Sequence, residues 1–164
     1  MTTSIGNVIG LALRPARAAA MQVVTEANAT RDGCLIGDHS KSSKRGITLL
    51  SARQWDEVIE ARGEALPWHA RRANVLIDAG DLAALVGKRI RVGEVEIEVN
   101  GITHPCAHIE EMHGLLQALS GTRGGVYGRI ANDGVIRVGD AVTLMESDER
   151  GVDSRGEFRP SGGR

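Results

Sequence analysis

The sequence predicts a mostly β protein whose short strands close, or nearly close, into a barrel, with a few helices attached. Two observations carry this. Short apolar runs recur along the chain, and glycine-containing turns separate them. Between Ile90 and Val99, apolar residues alternate with Arg91, Glu94, Glu96 and Glu98, the period of two that a half-buried strand requires. A third observation removes the main competitor. No strand–helix rhythm runs along the chain and no GxGxxG is present, which disfavours a doubly wound nucleotide-binding sheet.

At 164 residues and 17.4 kDa the chain is read as one domain, long enough to bury a core without staples. Apolar residues make up 41% but aromatics only 2%, so the core must be aliphatic, and the scarcity of aromatics argues against a base-stacking surface. The net charge of -1 provides no global field toward nucleic acid or membrane. Any anion site must therefore be a local cluster. Cys34 and Cys106 lie far apart, and neither belongs to a CxxC pair, which argues against a zinc knuckle. The N-terminus lacks a basic and then apolar leader, and no apolar run reaches the roughly 18 residues of a membrane span. The expected setting is the reducing cytoplasm, where a free thiol persists.

The elements follow in order. Ile5 to Leu13 reads as a first strand stopped by Pro15, and Met21 to Thr25 as a second. A polar loop runs through Asn28, Thr30, Asp32 and Gly33. It leads to the cationic stretch from Gly37 to Gly46, which is too polar for a core. Ile47 to Leu50 is a short strand. Ser51 caps the helix behind it, with Gln54 in the capping-box position, Trp55, Val58 and Ile59 on one face, and Gly63 at its end. Val75 to Ile77 is a buried strand, and Asp81 caps a turn or two of helix through Leu85. The alternating segment forms a hairpin around Gly93-Glu94 and runs out into Gly101. A helical pattern is expected from Ala107 through Leu119. Strands return at Val126 to Ala131, Val135 to Val138 and Ala141 to Met145, and the Gly-rich, charged end from residue 147 reads as a disordered tail. The domain is thus expected over residues 1–146.

Chemistry concentrates in Gly101-Ile102-Thr103-His104-Pro105-Cys106-Ala107-His108. A cysteine at an expected helix N-terminus, with two histidines nearby, has features that lower a thiol pKa from about 8.5 and favour the reactive thiolate. The alternatives are a buried small hydrophobe or part of a metal cluster with His104 and His108, although further zinc ligands are not evident. Cys34 reads as a buried residue. Cationic residues gather at Lys41, Lys44 and Arg45, at Arg71 and Arg72, and at Arg123 beside Gly124-Gly125. If these loops converge on Cys106, they form a phosphate-binding pocket with a thiol in it. Taken singly, each is more ordinarily a solvated face.

Several motifs together resemble the MOSC domain, named for the C-terminal domain of molybdenum cofactor sulfurase. They are Gly37-Asp38 with the cationic loop to Arg45, Thr48-Leu49-Leu50, Arg71-Arg72-Ala73-Asn74, Leu85-Val86-Gly87-Lys88, His104-Pro105-Cys106, Glu110-Glu111, Arg123-Gly124-Gly125 and Gly134 through Val142. They run in family order from about Ile5 to Leu144. The resemblance implies a MOSC-type β-barrel. It also implies that Cys106 matches the cysteine that ligates molybdenum in cofactor-binding members such as amidoxime-reducing enzymes. By position, Lys44, Arg45, Arg71, Arg72, Asn74 and Arg123 match residues that would hold the pterin phosphate, with Thr48 and Asp38 shaping the pocket. Two departures stand out: His39 follows Asp38 directly, one residue early, and His108 replaces a common arginine. The resemblance leaves three functions open. The first is a molybdenum-cofactor oxidoreductase that reduces N-hydroxylated compounds, served by an electron-transfer protein. The second is a sulfur carrier that accepts a persulfide on Cys106 from a separate pyridoxal-phosphate cysteine desulfurase. The third is a non-catalytic binding module.

Overall fold

A long first strand organises the sheet. In the computed structural model, which describes residues 3–17, 19–31, 33–39, 45–63, 65–103 and 124–145, β1 spans Thr3–Leu13. The strands that follow are β2 (Gln22–Val24), β3 (Glu26–Ala29), β4 (Ile47–Ser51), β5 (Val75–Ile77), β6 (Arg89–Val92), β7 (Val95–Ile102), β8 (Val126–Ile130), β9 (Gly134–Arg137) and β10 (Ala141–Leu144). Hydrogen bonding runs β10-β6-β7-β8-β4-β5-β1, and β1 pairs back with β10, so seven strands close into a barrel. Closure depends on β1 serving several partners. Its first residues pair with β10, its middle with β5 and its last three with β2. Register shifts between Ser4 and Gly6 and between Val8 and Gly10 bend it between those duties. Glycine is required at the first bend, because a Cβ on Gly6 would sit 2.1 Å from the Asp78 carbonyl oxygen.

Alternation along the strands sends one set of residues inward. Val8, Leu11, Ile47, Leu49, Val75, Ile77, Ile90, Val92, Ile97, Val126 and Ile130 form a wholly aliphatic interior, as the scarcity of aromatics requires. A second, smaller cluster lies outside the barrel. Leu50, Ala73 and Leu76 are covered there by Trp55 and Val58 of α1 (Ala52–Arg62). Leu49 faces in and Leu50 faces out, so β4 serves both clusters. Ser51 caps α1 by accepting from the Gln54 N–H, and Gly63 ends it in the left-handed region at φ 78°. Short 3-10 turns follow at Trp68–Arg71 and Leu82–Leu85, the latter capped by Asp81 as its sequence position predicts.

Two features differ from the sequence expectation. The stretch around Asn28 is a strand, β3, paired with β9 in a separate two-stranded ribbon. Its buried positions are Ala27 and Ala29, too weakly apolar to register as a strand pattern, and its partner lies far along the chain. The sheet also contains one strand–helix–strand crossover, β4–α1–β5, whose strands run parallel. All other described pairings are antiparallel. The connection is long enough to return the chain to the same end of the barrel, which a two-residue turn cannot do. The helix expected from Ala107 to Leu119 and the tail from residue 147 lie outside the described residues.

Candidate functional site

The polar residues of interest stand on the outer face of the barrel wall. Ala12, Asn74, Thr48, Tyr127 and Gly101 form a row across β1, the start of β5, β4, β8 and β7. Ala12, Asn74, Thr48 and Tyr127 each flank a residue of the aliphatic interior, namely Leu11, Val75, Leu49 or Val126, and so point the other way, whereas Gly101 joins the row through the register shift that follows Val99.

Asn74 is fully buried and is the hub of this row. Its Nδ2 donates to the Ala12 carbonyl at 3.1 Å and to Asp38 Oδ1 at 3.0 Å. Its Oδ1 accepts from the Thr48 N–H at 3.0 Å and from Thr48 Oγ1 at 3.1 Å. A fully buried amide with its groups paired is what makes this polar wall stable. Asp38 closes the row at the β1 end. Its carboxylate is wholly buried, accepts from the Arg14 N–H at 2.6 Å, and lies 3.4 Å from the Arg14 guanidinium. Burying a carboxylate is costly unless it is paired, and here a guanidinium, a backbone N–H and an amide N–H share it.

At the other end Tyr127 lies over Gly101, where an added Cβ would come 2.5 Å from the phenol oxygen. The exposed Arg45 guanidinium stacks 4.3 Å from the Tyr127 ring centre, a cation–π contact. Arg71, at the end of the first 3-10 turn, is buried and turned toward the ends of β7 and β8. Its Nη2 donates to Thr103 Oγ1 at 2.5 Å, and that hydroxyl donates to the Gly124 carbonyl. Gly124 leaves room for this packing, since a Cβ there would lie 3.3 Å from Arg71 Nη2. Arg72 turns away from its neighbour. Its backbone is left-handed at φ 68°, and its guanidinium donates to the carbonyls of Ala19 (2.7 Å), Arg17 (3.0 Å) and Ala16 (3.3 Å).

Of the residues singled out in the sequence, Arg45, Thr48, Arg71 and Asn74 belong to this wall, and Arg72 is turned to the connection between β1 and β2. Cys106, Lys44 and Arg123 lie outside the described residues, as do His104 and His108. The connections are nonetheless visible at their ends: Arg45 follows Lys44, Gly124 follows Arg123, and Thr103 stands three residues before Cys106. Cys34 is partly exposed rather than buried, in the turn after β3, where its carbonyl accepts from Thr30. Sequence reasoning missed Arg14 and Tyr127, and placed Thr103 in the cysteine stretch without a role of its own. Arg14 precedes Pro15, which reads only as a strand stop. A signal did exist for Tyr127, because it is the only tyrosine in the chain and stands two residues after the glycine pair. No group of three His, Cys, Asp or Glu residues able to hold a metal occurs among the described residues. Nor is any helix there long and apolar enough to cross a membrane.

Comparison with known families matches the MOSC domain over residues 36–143. The chain belongs to the MOSC domain family. MOSC domains are associated with binding of molybdenum cofactor. The fold agrees with solved structures. The YUAD protein from Bacillus subtilis superposes with a TM-score of 0.74 at 16% identity, covering 90% of this chain and 100% of that one. YiiM from Geobacillus stearothermophilus gives 0.64 at 17% identity, covering 94% and 78%. YiiM from Escherichia coli gives 0.64 at 17%, covering 87% and 71%. No protein with a curated description matches the sequence. The family match begins only at Ile36, yet β1 pairs with β5 and β10 of the matched region, so this MOSC domain includes its N-terminal strand.

The donor set of the wall fits an anionic cofactor. Arg14, Arg45 and Arg71 border the wall with a single carboxylate, Asp38, which Arg14 already neutralises, while the Arg72 guanidinium is turned to the carbonyls of Ala16, Arg17 and Ala19. The Nε of Arg14 is buried and has no hydrogen-bond partner among the described residues.

Proposed function

We propose that this MOSC domain binds molybdenum cofactor against the outer wall of the barrel, with Cys106 as the thiolate ligand to molybdenum, and reduces N-hydroxylated compounds. The observation that carries the reading is the cationic wall. A buried arginine, an exposed stacked arginine and an aspartate-paired arginine share one face with the ends of the two connections that contain Lys44, Cys106 and Arg123.

Each residue then has a physical task. Arg71 and Arg45, with Lys44 and Arg123 beside them in the chain, supply cationic donors suited to a phosphate. Thr48 and Asn74 spend their polar groups on each other, on Ala12 and on Asp38, so they set the shape of the wall. Tyr127 holds Arg45 in place through its ring. Three residues of chain span at most about 11 Å, so the backbone of Cys106 stays within that distance of Thr103, which Arg71 anchors. A soft thiolate is the side chain that suits molybdenum among those at hand. When bound, the cofactor supplies two-electron oxygen-atom transfer.

Elemental analysis tests the reading. Protein purified from a cofactor-competent host should carry near-stoichiometric molybdenum, and Cys106→Ser should lose most of it. Equal traces in both proteins would overturn the proposal. In that event, intact mass after incubation with a cysteine desulfurase and cysteine decides for the sulfur-carrier reading if one sulfur is added to the wild type and none to Cys106→Ser.

A further inference from the structure

Arg71 and Arg72 are adjacent in sequence and opposite in use. Arg71 is directed to Thr103 at the ends of β7 and β8. Arg72 sends both terminal nitrogens to its own chain: Nη1 to the Ala19 carbonyl, and Nη2 to those of Ala16 and Arg17. Those carbonyls belong to the connection between β1 and β2, where the Ala19 N–H also closes a turn onto the Ala16 carbonyl. The start of the same connection is held from a second direction, because Arg14 is bonded through its backbone N–H and its guanidinium to Asp38. Neighbouring side chains thus pin the segment from Arg14 to Ala19 at both ends. The exposed Arg17 belongs to the second pin, its carbonyl being one of the three acceptors.

The backbone of Arg72 is the other unusual feature. It is the only non-glycine residue with positive φ among the described residues. Side chains disfavour that region, and such conformations persist where surrounding contacts impose them. At Arg72 the left-handed turn ends the 3-10 turn, reverses the side chain relative to Arg71, and aims the guanidinium at the three carbonyls.

We propose that Arg72 is a positioning residue: it uses its guanidinium to seat the connection that follows Arg14, so that Arg14 keeps its place against Asp38 at the end of the wall, and it does not itself contact the bound anion. The inference rests on reading this wall as an anion site. It predicts that geometry at residue 72 matters more than charge. Lysine keeps the charge, but its single ammonium cannot reproduce a planar fork spread over three carbonyls.

Hydrogen exchange and phosphate titration of the full chain test it together. Wild type, Arg72→Lys and Arg72→Gly are compared, glycine being the residue best suited to φ 68° and hence the variant that keeps the backbone. Thermal melts confirm that each is folded. Both variants should exchange the Ala19 amide, which closes the turn onto the Ala16 carbonyl, at least about tenfold faster than wild type, while the amides of β4 and β5 stay protected. Inorganic phosphate, titrated by calorimetry, should bind both variants about equally more weakly than wild type. Unchanged exchange in both variants would overturn the clamp. So would full retention of wild-type phosphate affinity by Arg72→Lys alone, because that pattern marks a direct charge contact. Failure of the wild type to bind phosphate would overturn the anion reading of the wall, and the exchange result would still decide whether Arg72 is a clamp.

Discussion

The inner and outer faces of β1, β5, β4, β8 and β7 are made of the same five strands and obey different chemistry. Inside stand Leu11, Val75, Leu49, Val126 and Val99, all aliphatic and all buried. Outside, one residue along four of the strands, stand Ala12, Asn74, Thr48 and Tyr127, with Gly101 brought beside Tyr127 by the register shift after Val99, joined by hydrogen bonds, strand register and ring contacts. The inner face can exchange one hydrocarbon for another of similar volume at modest cost. The outer face cannot, because each polar group is matched to a particular partner. A period of two thus lets one set of strands carry stability and a polar site back to back.

That contrast can be broken from either side. The largest effect is expected inside. Leu49→Ala removes a fully packed side chain from the barrel and should cost about 2–5 kcal/mol in denaturant unfolding, whereas Leu49→Met should cost under about 1.5 kcal/mol. Equal losses for the two would show that this face is not governed by volume.

On the outer face, Asn74→Ala should cost about 2–3 kcal/mol, because it deprives Thr48, the Ala12 carbonyl and the buried Asp38 carboxylate of partners at once. Here the near-isosteric Asn74→Leu should rescue nothing in the same melts. A stable leucine variant would mean that packing, and not the polar network, holds the wall together.

The smallest effect is expected at the β6–β7 hairpin, where Arg91 and Glu96 pair 3.0 Å apart while remaining partly exposed. A double-mutant cycle to alanine should give a coupling of about 0.2–1 kcal/mol that shrinks further in high salt. Coupling as large as that around Asn74 would erase the distinction between a solvated ion pair and a built site.

Elements with local signatures were legible in advance. The Ser51 cap, the Gly63 stop, the Asp81 turn and the Gly93 hairpin each depend on neighbours a few residues away, and each lies where the sequence predicts. The β3–β9 ribbon was not legible, because its alanines are weakly apolar and its pairing is distant. At the site, Thr48, Asn74, Arg71 and Arg72 were picked out as motif residues. Asp38 is also a motif residue, but its pairing with Arg14, and that of Arg71 with Thr103, is not legible, since these residues meet only in the folded wall.

The sequence by itself determined an aliphatic β-barrel, through alternation and the near absence of aromatics, and marked the motifs of the MOSC family. Tertiary structure alone decided that the polar motifs share the outer wall, that Asn74 is its hub, and that two adjacent arginines point to opposite tasks. The physical reason is range. Period, caps and turns act over a few residues, whereas strand register and a left-handed backbone at Arg72 assign partners among residues that the sequence keeps far apart.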